Sequence, residues 1–215
     1  MEKSKMKIWK KFLIIFLIIL LIFIIITLRK FIILANMEKV SKDIINSNNY
    51  YVELHSLQSY GVSISKSYNK DSRYLTIMET FDSNVPETRK LTIYNDEEGE
   101  IGIIQSGESK VAILDGSLVG GQIGINAFST YGSGFWAKMQ MALMSRITTE
   151  ECSNKECYLI ELSNGWKIWI DKESGLILRE INGGYVTEFI YKFNSVKDSD
   201  IVKPDISDCK IQESN

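Results

Sequence analysis

A nearly unbroken apolar run extends from Phe12 to Leu28, and five lysines precede it. These are Lys3, Lys5, Lys7, Lys10 and Lys11. At about 1.5 Å per helical residue the run spans about 25 Å, slightly less than a hydrocarbon core of about 30 Å. Arg29 and Lys30 can extend their charged groups to the interface, so the helix can continue to Leu34. The sequence therefore predicts a transmembrane anchor over residues 12–34, preceded by a basic cytoplasmic segment, residues 1–11.

A cleaved secretory signal peptide has the same basic start and apolar stretch. This run is longer than the roughly 7–15 residues of such peptides, and Leu34-Ala35-Asn36 is a poor match to their cleavage site. Five lysines precede the run, against Arg29, Lys30 and the more distant Lys39 and Lys42 after it, which favours a cytoplasmic N-terminus. We expect a single-pass protein of the cell membrane with its C-terminal domain outside, and a cleaved signal peptide would export that domain too.

The chain beyond the anchor has the length of one ordinary domain. Apolar residues first recur at helical spacing, at Ile33, Met37, Val40, Ile44 and Ile45. A juxtamembrane helix is therefore predicted over residues 35–49, ending in the Asn-Ser-Asn-Asn stretch. Residues 50–200 form the predicted extracytoplasmic domain, and residues 201–215 form a polar C-terminal tail.

Short β-branched and aromatic runs, separated by Gly, Asn and Asp, predict two blocks of antiparallel strands. The first block is Tyr50–Leu57, Ser63–Tyr68, Arg73–Phe81, Thr88–Tyr94, Ile101–Gln105 and Lys110–Leu114. The second block is Cys157–Leu162, Gly165–Asp171, Leu176–Ile181 and Tyr185–Val196. The glycine-rich segment between the blocks, residues 115–134, is too apolar for a solvated linker and is either an ordered lid or a packed loop.

One soluble helix is predicted over Phe135–Ile147, because its apolar residues recur four apart. They are Phe135, Met139, Leu143 and Ile147, joined by Trp136 and Met144. Such a stripe needs an apolar surface, which the inner face of a long, curled sheet would supply. We therefore predict an α+β fold: an N-terminal transmembrane helix, then a curled antiparallel β-sheet (a half-barrel) in sequential strand order, with a helix packed in its concave face.

Three cysteines lie in the exported part of the chain: Cys152, Cys157 and Cys209. The polar residues between the first two resemble a hairpin loop that would bring their sulfur atoms together across neighbouring strands. A Cys152–Cys157 disulfide is the prediction, with a pair of reduced thiols as the alternative. Cys209 is then left unpaired.

The segment from Trp166 to Arg179 combines a Trp- and Ile-rich strand, an Asp-x-x-Ser-Gly turn and a returning strand with Leu and Arg. In this it resembles the lipoprotein-localisation carrier (LolA-like) superfamily, which includes membrane-anchored proteins of Gram-positive bacteria. The resemblance implies a half-barrel that binds acyl chains or partner proteins in its concave face and has no catalytic residues. In the turn itself, Asp171 and Gly175 are interpreted as structural residues.

The residue pattern predicts no enzyme, cofactor or metal site. His55 is the only histidine and lies in an alternating strand, so we expect it at the surface. The glycine-rich segment lacks the Lys-Ser/Thr of a phosphate loop. Glu97/Glu98 and Glu150/Glu151 fall in predicted turns and are interpreted as solvated. The net charge is −2 and lysines alternate with acidic residues, so nucleic-acid binding is not expected.

The remaining candidate site is apolar. Its predicted lining comes from the helix and the preceding segment: Phe128, Trp136, Met139, Met141, Leu143 and Met144. These side chains would form a groove between helix and sheet for a lipid, lipopeptide or lipoprotein segment, since methionines adapt to varied ligand shapes. As an alternative they simply form the core, and the chain is a non-catalytic regulatory or structural partner of another membrane protein.

Overall fold

The computed structural model describes residues 2–45, 48–58, 61–82, 87–114 and 134–213. Within these ranges the chain has an N-terminal apolar helix, a large open sheet of twelve strands and a second helix. The helices are α1 (Glu2–Ile45) and α2 (Phe135–Met144). The strands are β1 (Asn49–Gln58), β2 (Gly61–Lys70), β3 (Arg73–Asp82), β4 (Arg89–Asp96), β5 (Gly99–Ser106), β6 (Ser109–Leu114), β7 (Ser145–Cys152), β8 (Lys155–Leu162), β9 (Lys167–Asp171), β10 (Ile177–Asn182), β11 (Tyr185–Phe193) and β12 (Lys210–Glu213).

Helix α1 is continuous over 44 residues, so the predicted anchor and the predicted juxtamembrane helix are one element. Its segment Trp9–Lys39 is long and apolar enough to cross a membrane. Between Phe12 and Ile26 the apolar side chains are 41–67% exposed. The environment changes farther along the helix, where Leu34 and Met37 are buried in the core of the domain. The end of the apolar helix is therefore also a structural part of the domain.

The strands follow the order β12-β6-β5-β4-β3-β2-β1-β11-β10-β9-β8-β7. Every neighbouring pair is antiparallel except β12 and β6, which are parallel. The sheet thus contains two meanders, β1–β6 and β7–β11. They are joined where β1, the first strand of the first meander, pairs with β11, the last strand of the second. The predicted sequential order holds inside each meander and is wrong at this junction, where β1 pairs with β11.

Large apolar side chains explain the pairing of β1 with β11. Tyr50 lies opposite Phe193, Val52 opposite Tyr191 and Leu54 opposite Phe189. The ring of Tyr191 is stacked between those of Phe189 and Phe193, with centroids 6.3 and 6.4 Å away. Cross-strand aromatic and β-branched pairs of this kind stabilise a sheet. Without the pairing, both apolar strands would be exposed edges.

Different segments cover the two faces of the sheet. On one face, α2 and the end of α1 pack against β8–β11 in a cluster that contains Leu34, Met141 and Ile168. On the opposite face, the chain after β11 packs against β1–β6. Strand β1 shows the two faces, because side chains alternate along a strand. Leu54 packs with the helices on one face, and Tyr51 packs with the C-terminal segment on the other.

The predicted polar tail lies within the domain. Val196 and Ile201 are 5% and 4% exposed, and they pack with Ile206 against β3–β6. Asn49 holds the start of this segment: its side chain donates to the Val196 carbonyl and accepts from the Val196 amide, both at 3.0 Å. The segment then ends in β12, which pairs with the edge strand β6. The sequence does not indicate the buried Ile201, the partly buried Ile206 or the strand, because this stretch is mostly polar.

Helix α2 is shorter than predicted, because it ends at Met144 and Ile147 lies in β7. Ser145 already has extended backbone angles, and the β-branched residues Ile147, Thr148 and Thr149 favour a strand paired with β8. The apolar stripe predicted to face the sheet, Phe135, Met139, Leu143 and Ile147, is also wrong. The buried residues of α2 are Met141 and Ala142. Glu150 and Glu151, expected in a turn, belong to β7.

Candidate functional site

An open, mostly apolar pocket of about 440 Å³ lies between α2 and the β8–β9 turn. Its lining is Ala137, Gln140, Met141, Met144, Leu162, Ser163, Asn164 and Trp166. The volume falls in the range of about 300–1,000 Å³ that is usual for small-molecule sites. Two flexible methionines and one indole ring supply apolar surface, and the polar residues lie on the helix and in the turn. The pocket is suited to an apolar chain that carries a polar end.

The β8–β9 turn positions one wall of the pocket. The Leu162 amide donates to the Trp166 carbonyl at 2.8 Å, and the Asn164 side chain accepts from the Trp166 amide at 3.1 Å. Gly165 has a φ of +84°, which favours glycine. The Trp166 indole donates to Glu180 on β10 at 2.8 Å, so its polar edge is satisfied while its ring faces the pocket. The predicted Ser-Asn-Gly hairpin turn is confirmed.

The residues predicted to form the groove are only partly brought together. Met141 and Met144 line the pocket, whereas Met139 is half-buried elsewhere on α2. Trp136 and Leu143 are 80% and 50% exposed and do not line it. Phe128 lies outside the described residues. Whether these side chains bind a ligand stays a prediction.

The space between α2 and the sheet, where the groove was expected, is occupied by side chains. Met141 and Ala142 of α2 pack there with Leu34 and Met37 of α1 and with isoleucines of β8–β10. Leu162 and Trp166 were not predicted as pocket residues. Their turn was recognised, but nothing local in the sequence indicates that the turn lies against α2.

Polar contacts also connect α2 to α1. Lys138 forms an ion pair with Glu38, whose carboxylate also accepts from Lys42 at 2.7 Å. Lys30 donates to the carbonyl of Ser145, directly after α2, at 2.5 Å. The rings of Phe31 and Phe135 lie 5.3 Å apart. Helix α2, which forms one wall of the pocket, is therefore held against the end of the apolar helix.

The β9–β10 turn contains the residues that carry the family resemblance. The Asp171 carboxylate, 3% exposed, accepts from the Ser174 hydroxyl at 2.6 Å and the Glu173 amide at 3.1 Å. Lys155 donates to the same carboxylate at 2.8 Å. Gly175 has a φ of +66°, and its amide donates to the Asp171 carbonyl at 2.9 Å. These contacts account for Asp171 and Gly175 as parts of the turn.

The Asp171 carboxylate makes the stability of this turn depend on pH. Burial acts to raise the pKa of Asp171, but hydrogen bonds from Lys155, Ser174 and the Glu173 amide outweigh it and lower the pKa below its usual value. A carboxyl with a lower pKa in the folded chain stabilises it above the unfolded pKa of about 3.9 and stops doing so as the pH falls through the folded pKa.

We expect Asp171→Asn to lower the free energy of unfolding by roughly 1–3 kcal/mol at neutral pH, since a charged acceptor of several hydrogen bonds is lost. The difference from the wild type should shrink below about pH 3.9, where the carboxyl is protonated first in the unfolded chain and then, at its lower pKa, in the folded chain. Urea unfolding across this pH range measures it. Asp208→Asn, at an exposed carboxylate paired with Lys110, is the control and should change stability little. A difference for Asp171→Asn that stays constant with pH would contradict the prediction.

The cysteines of the predicted disulfide are free thiols in this structure, and so is Cys209. Cys152 and Cys157 are both buried and pack with Trp169 and Leu178 on one face of the sheet. Cys152 lies opposite Lys155 and Cys157 opposite Glu150, so the two cysteines form a diagonal pair. Diagonal Cα atoms are about 7–8 Å apart, beyond the usual disulfide range of about 4.4–6.8 Å. Burial raises the pKa of the Cys157 thiol to about 11, and the disulfide itself stays a prediction.

His55, the histidine that the sequence singled out, pairs with an acidic neighbour on its own strand. His55 Nε2 lies 2.7 Å from one carboxylate oxygen of Glu53. The other oxygen of Glu53 accepts from the Tyr51 hydroxyl at 2.5 Å. The His55 side chain is 43% exposed, as expected for a surface position. Among the residues that the structure describes, no group of three or more His, Cys, Asp or Glu side chains could hold a metal ion.

The sequence matches no family model and no curated protein. Among solved structures, the chain is similar to the crystal structure of MucB in complex with MucA(peri), with 9% sequence identity and a TM-score of 0.39. The alignment covers 83% of this chain and 61% of that chain, so this chain spans about three fifths of its length. The likeness assigns neither a family nor a function to this chain.

Proposed function

We propose that the chain is a membrane-anchored extracytoplasmic binding protein. It holds the acyl chain of a lipid, lipopeptide or lipoprotein segment in the pocket between α2 and the β8–β9 turn. The observation that carries the proposal is the apolar lining of this open pocket by Met141, Met144, Leu162 and Trp166. Methionine side chains adapt to chains of varied shape, and an acyl chain presents no polar group that the lining would have to satisfy.

The position of the pocket supports a ligand that comes from a membrane. α2 packs against α1 next to Phe31, near the C-terminal end of the segment Trp9–Lys39 that is apolar enough to span a bilayer. In the proposal, residues 12–34 anchor the chain, the N-terminus is cytoplasmic and the sheet curls into a half-barrel of the LolA-like kind. The resemblance of the Trp166–Arg179 hairpin to that superfamily favours the same class of ligand.

Photo-cross-linking tests the proposal with the full chain in lipid vesicles. A photoactivatable fatty acid should label two regions, the apolar part of α1 and the peptides that contain Met144 and Trp166. Met144→Glu places a charge in the pocket and should reduce labelling of the second region several-fold, while labelling of α1 stays constant. Val202→Glu, at a site 62% exposed on the C-terminal segment, is the control and should leave both regions unchanged.

Labelling confined to α1 in the wild type would overturn the pocket assignment. Equal labelling of the second region in the wild type and in Met144→Glu would overturn it as well. Circular dichroism of each variant verifies that the sheet is intact. Met144 is suitable for this test because it is 54% exposed, so its replacement leaves the buried contacts of Met141 and Ala142 in place.

A second candidate function is a non-catalytic partner of another membrane protein. The observation that favours it is the open sheet: within the described residues, β7 pairs only with β8 and leaves its other edge free. A partner strand could add to this edge by backbone hydrogen bonds. The exposed charges of Arg146, Glu150 and Glu151 would restrict which strands pair there.

A further inference from the structure

Helix α2 has a solvent-exposed face that is mostly apolar. Five of its side chains are exposed, and four of them are apolar. They are Phe135 at 54%, Trp136 at 80%, Leu143 at 50% and Met144 at 54%. The fifth is Gln140, so this face carries no charge. An apolar patch of this kind on a folded surface marks an interaction site.

The contacts with α1 show how α2 is oriented. At one end of α2, Phe135 contacts Phe31, and directly after its other end the Ser145 carbonyl accepts from Lys30. Lys30 and Phe31 are adjacent, about 1.5 Å apart along α1, whereas α2 is about 15 Å long. Side chains from one level of α1 therefore contact both ends of α2, as expected for a helix that crosses α1. If α1 spans a membrane, α2 lies close to the plane of its surface.

The ion pair of Lys138 shows which face of α2 points toward the membrane. Lys138 lies about 200° around the helix from Trp136, since each residue turns the helix by about 100°. It pairs with Glu38, which is eight residues, or about 12 Å, farther along α1 than Lys30 and on the side of the domain. The face with Trp136 and Leu143 is thus turned the other way, toward the apolar segment of α1.

We infer that α2 is an interfacial helix, whose Phe135, Trp136, Leu143 and Met144 insert into the surface of the membrane that α1 spans. Aromatic residues are enriched at this depth, and an apolar helix face binds there by burying its area among headgroups and upper acyl chains. Arg29, which is exposed at the same level, can reach the lipid phosphates. The inference rests on the proposed anchor and is independent of the pocket's ligand. A contact with lipid would place Met144, and with it the pocket, next to the bilayer.

The four tryptophans of the chain allow a direct test. The full chain is placed in vesicles whose lipids carry bromine on the upper part of the acyl chains, which quenches tryptophans in contact with them. Fluorescence is compared with unbrominated vesicles for the wild type, Trp136→Phe, Trp9→Phe and Trp169→Phe. Trp169 is the control, because it is 8% exposed and its indole donates to Glu150 on the opposite face of the sheet.

We expect Trp136→Phe to remove a component that brominated lipid quenches several-fold more than the component removed by Trp169→Phe. Trp9→Phe should also remove a quenched component, because Trp9 lies at the start of the apolar segment. A Trp136 component quenched by aqueous iodide and not by brominated lipid would overturn the inference. Protection from both quenchers would overturn it too, in favour of a second copy or another protein on this face.

The Trp9 result separates this inference from the proposed anchor. Quenching of Trp9 without quenching of Trp136 would overturn only the interfacial placement of α2. Absence of quenching at both positions would overturn the anchor as well. Trp136 makes no polar contact that phenylalanine would lose in the described structure, so Trp136→Phe should retain the fold, and circular dichroism verifies this.

Discussion

Leu34→Ala is expected to lower the free energy of unfolding of the domain by about 2–5 kcal/mol, although Leu34 belongs to the apolar N-terminal helix. Its side chain is fully buried in the cluster that also contains Met37, Met141 and Ile168. Truncation removes this apolar contact and leaves a cavity where helix and sheet meet. Denaturant unfolding of the full chain, monitored by tryptophan fluorescence, measures the loss.

Ile32→Ala is the matched control, since Ile32 lies two residues away on the same helix and is 50% exposed. It removes a similar volume without opening a cavity in the core, so its effect should be much smaller. Equal losses for the two variants would contradict the placement of α1 in the core. A chain that begins at Asn36 lacks Leu34, and we expect it to be destabilised to a similar extent.

Glu38→Ala should lower the free energy of unfolding by about 3 kcal/mol, the lower end of the range for breaking a buried ion pair. The Glu38 and Lys138 side chains are only 9% and 12% exposed. Without Glu38, the ammonium group of Lys138 would stay buried without its partner carboxylate, and this uncompensated charge accounts for most of the cost. The same unfolding measurement applies.

A double variant distinguishes this mechanism from a loss of packing. Glu38→Leu combined with Lys138→Met removes both charges and keeps most of the side-chain volume, so it should recover most of the lost stability. The exposed pair of Lys203 and Glu98 serves as the control, and Lys203→Ala should have little effect. A double variant as unstable as Glu38→Ala would contradict the ion-pair explanation.

Local patterns in the sequence were sufficient for most elements of the fold. The apolar helix, the strands β1–β6 and β8–β11 and the turns at Ser163–Gly165 and Asp171–Gly175 follow from composition, alternation and turn residues. Strand β7 was mistaken for a helix end and a turn, because its first residues continue the apolar spacing of α2. Strand β12 and the buried Ile201 before it lie in a polar stretch that shows no alternation.

The candidate site was less predictable than the fold. Of the six residues named from the sequence for the groove, Met141 and Met144 line the observed pocket, and Phe128 lies outside the described residues. The apolar spacing of α2 identified a helix but did not show which side is buried. Both sides carry large apolar residues: Met141 is buried by α1 and the sheet, whereas Trp136 and Leu143 are exposed.

The sequence by itself determined the apolar helix, the short strands and the hairpin turns, because each depends on residues within a few positions of one another. The tertiary structure alone decided that β1 pairs with β11, that the end of α1 enters the core and that the pocket forms between α2 and the β8–β9 turn. These contacts join residues far apart in the chain. Their stability comes from surfaces that become complementary only when the whole sheet has formed.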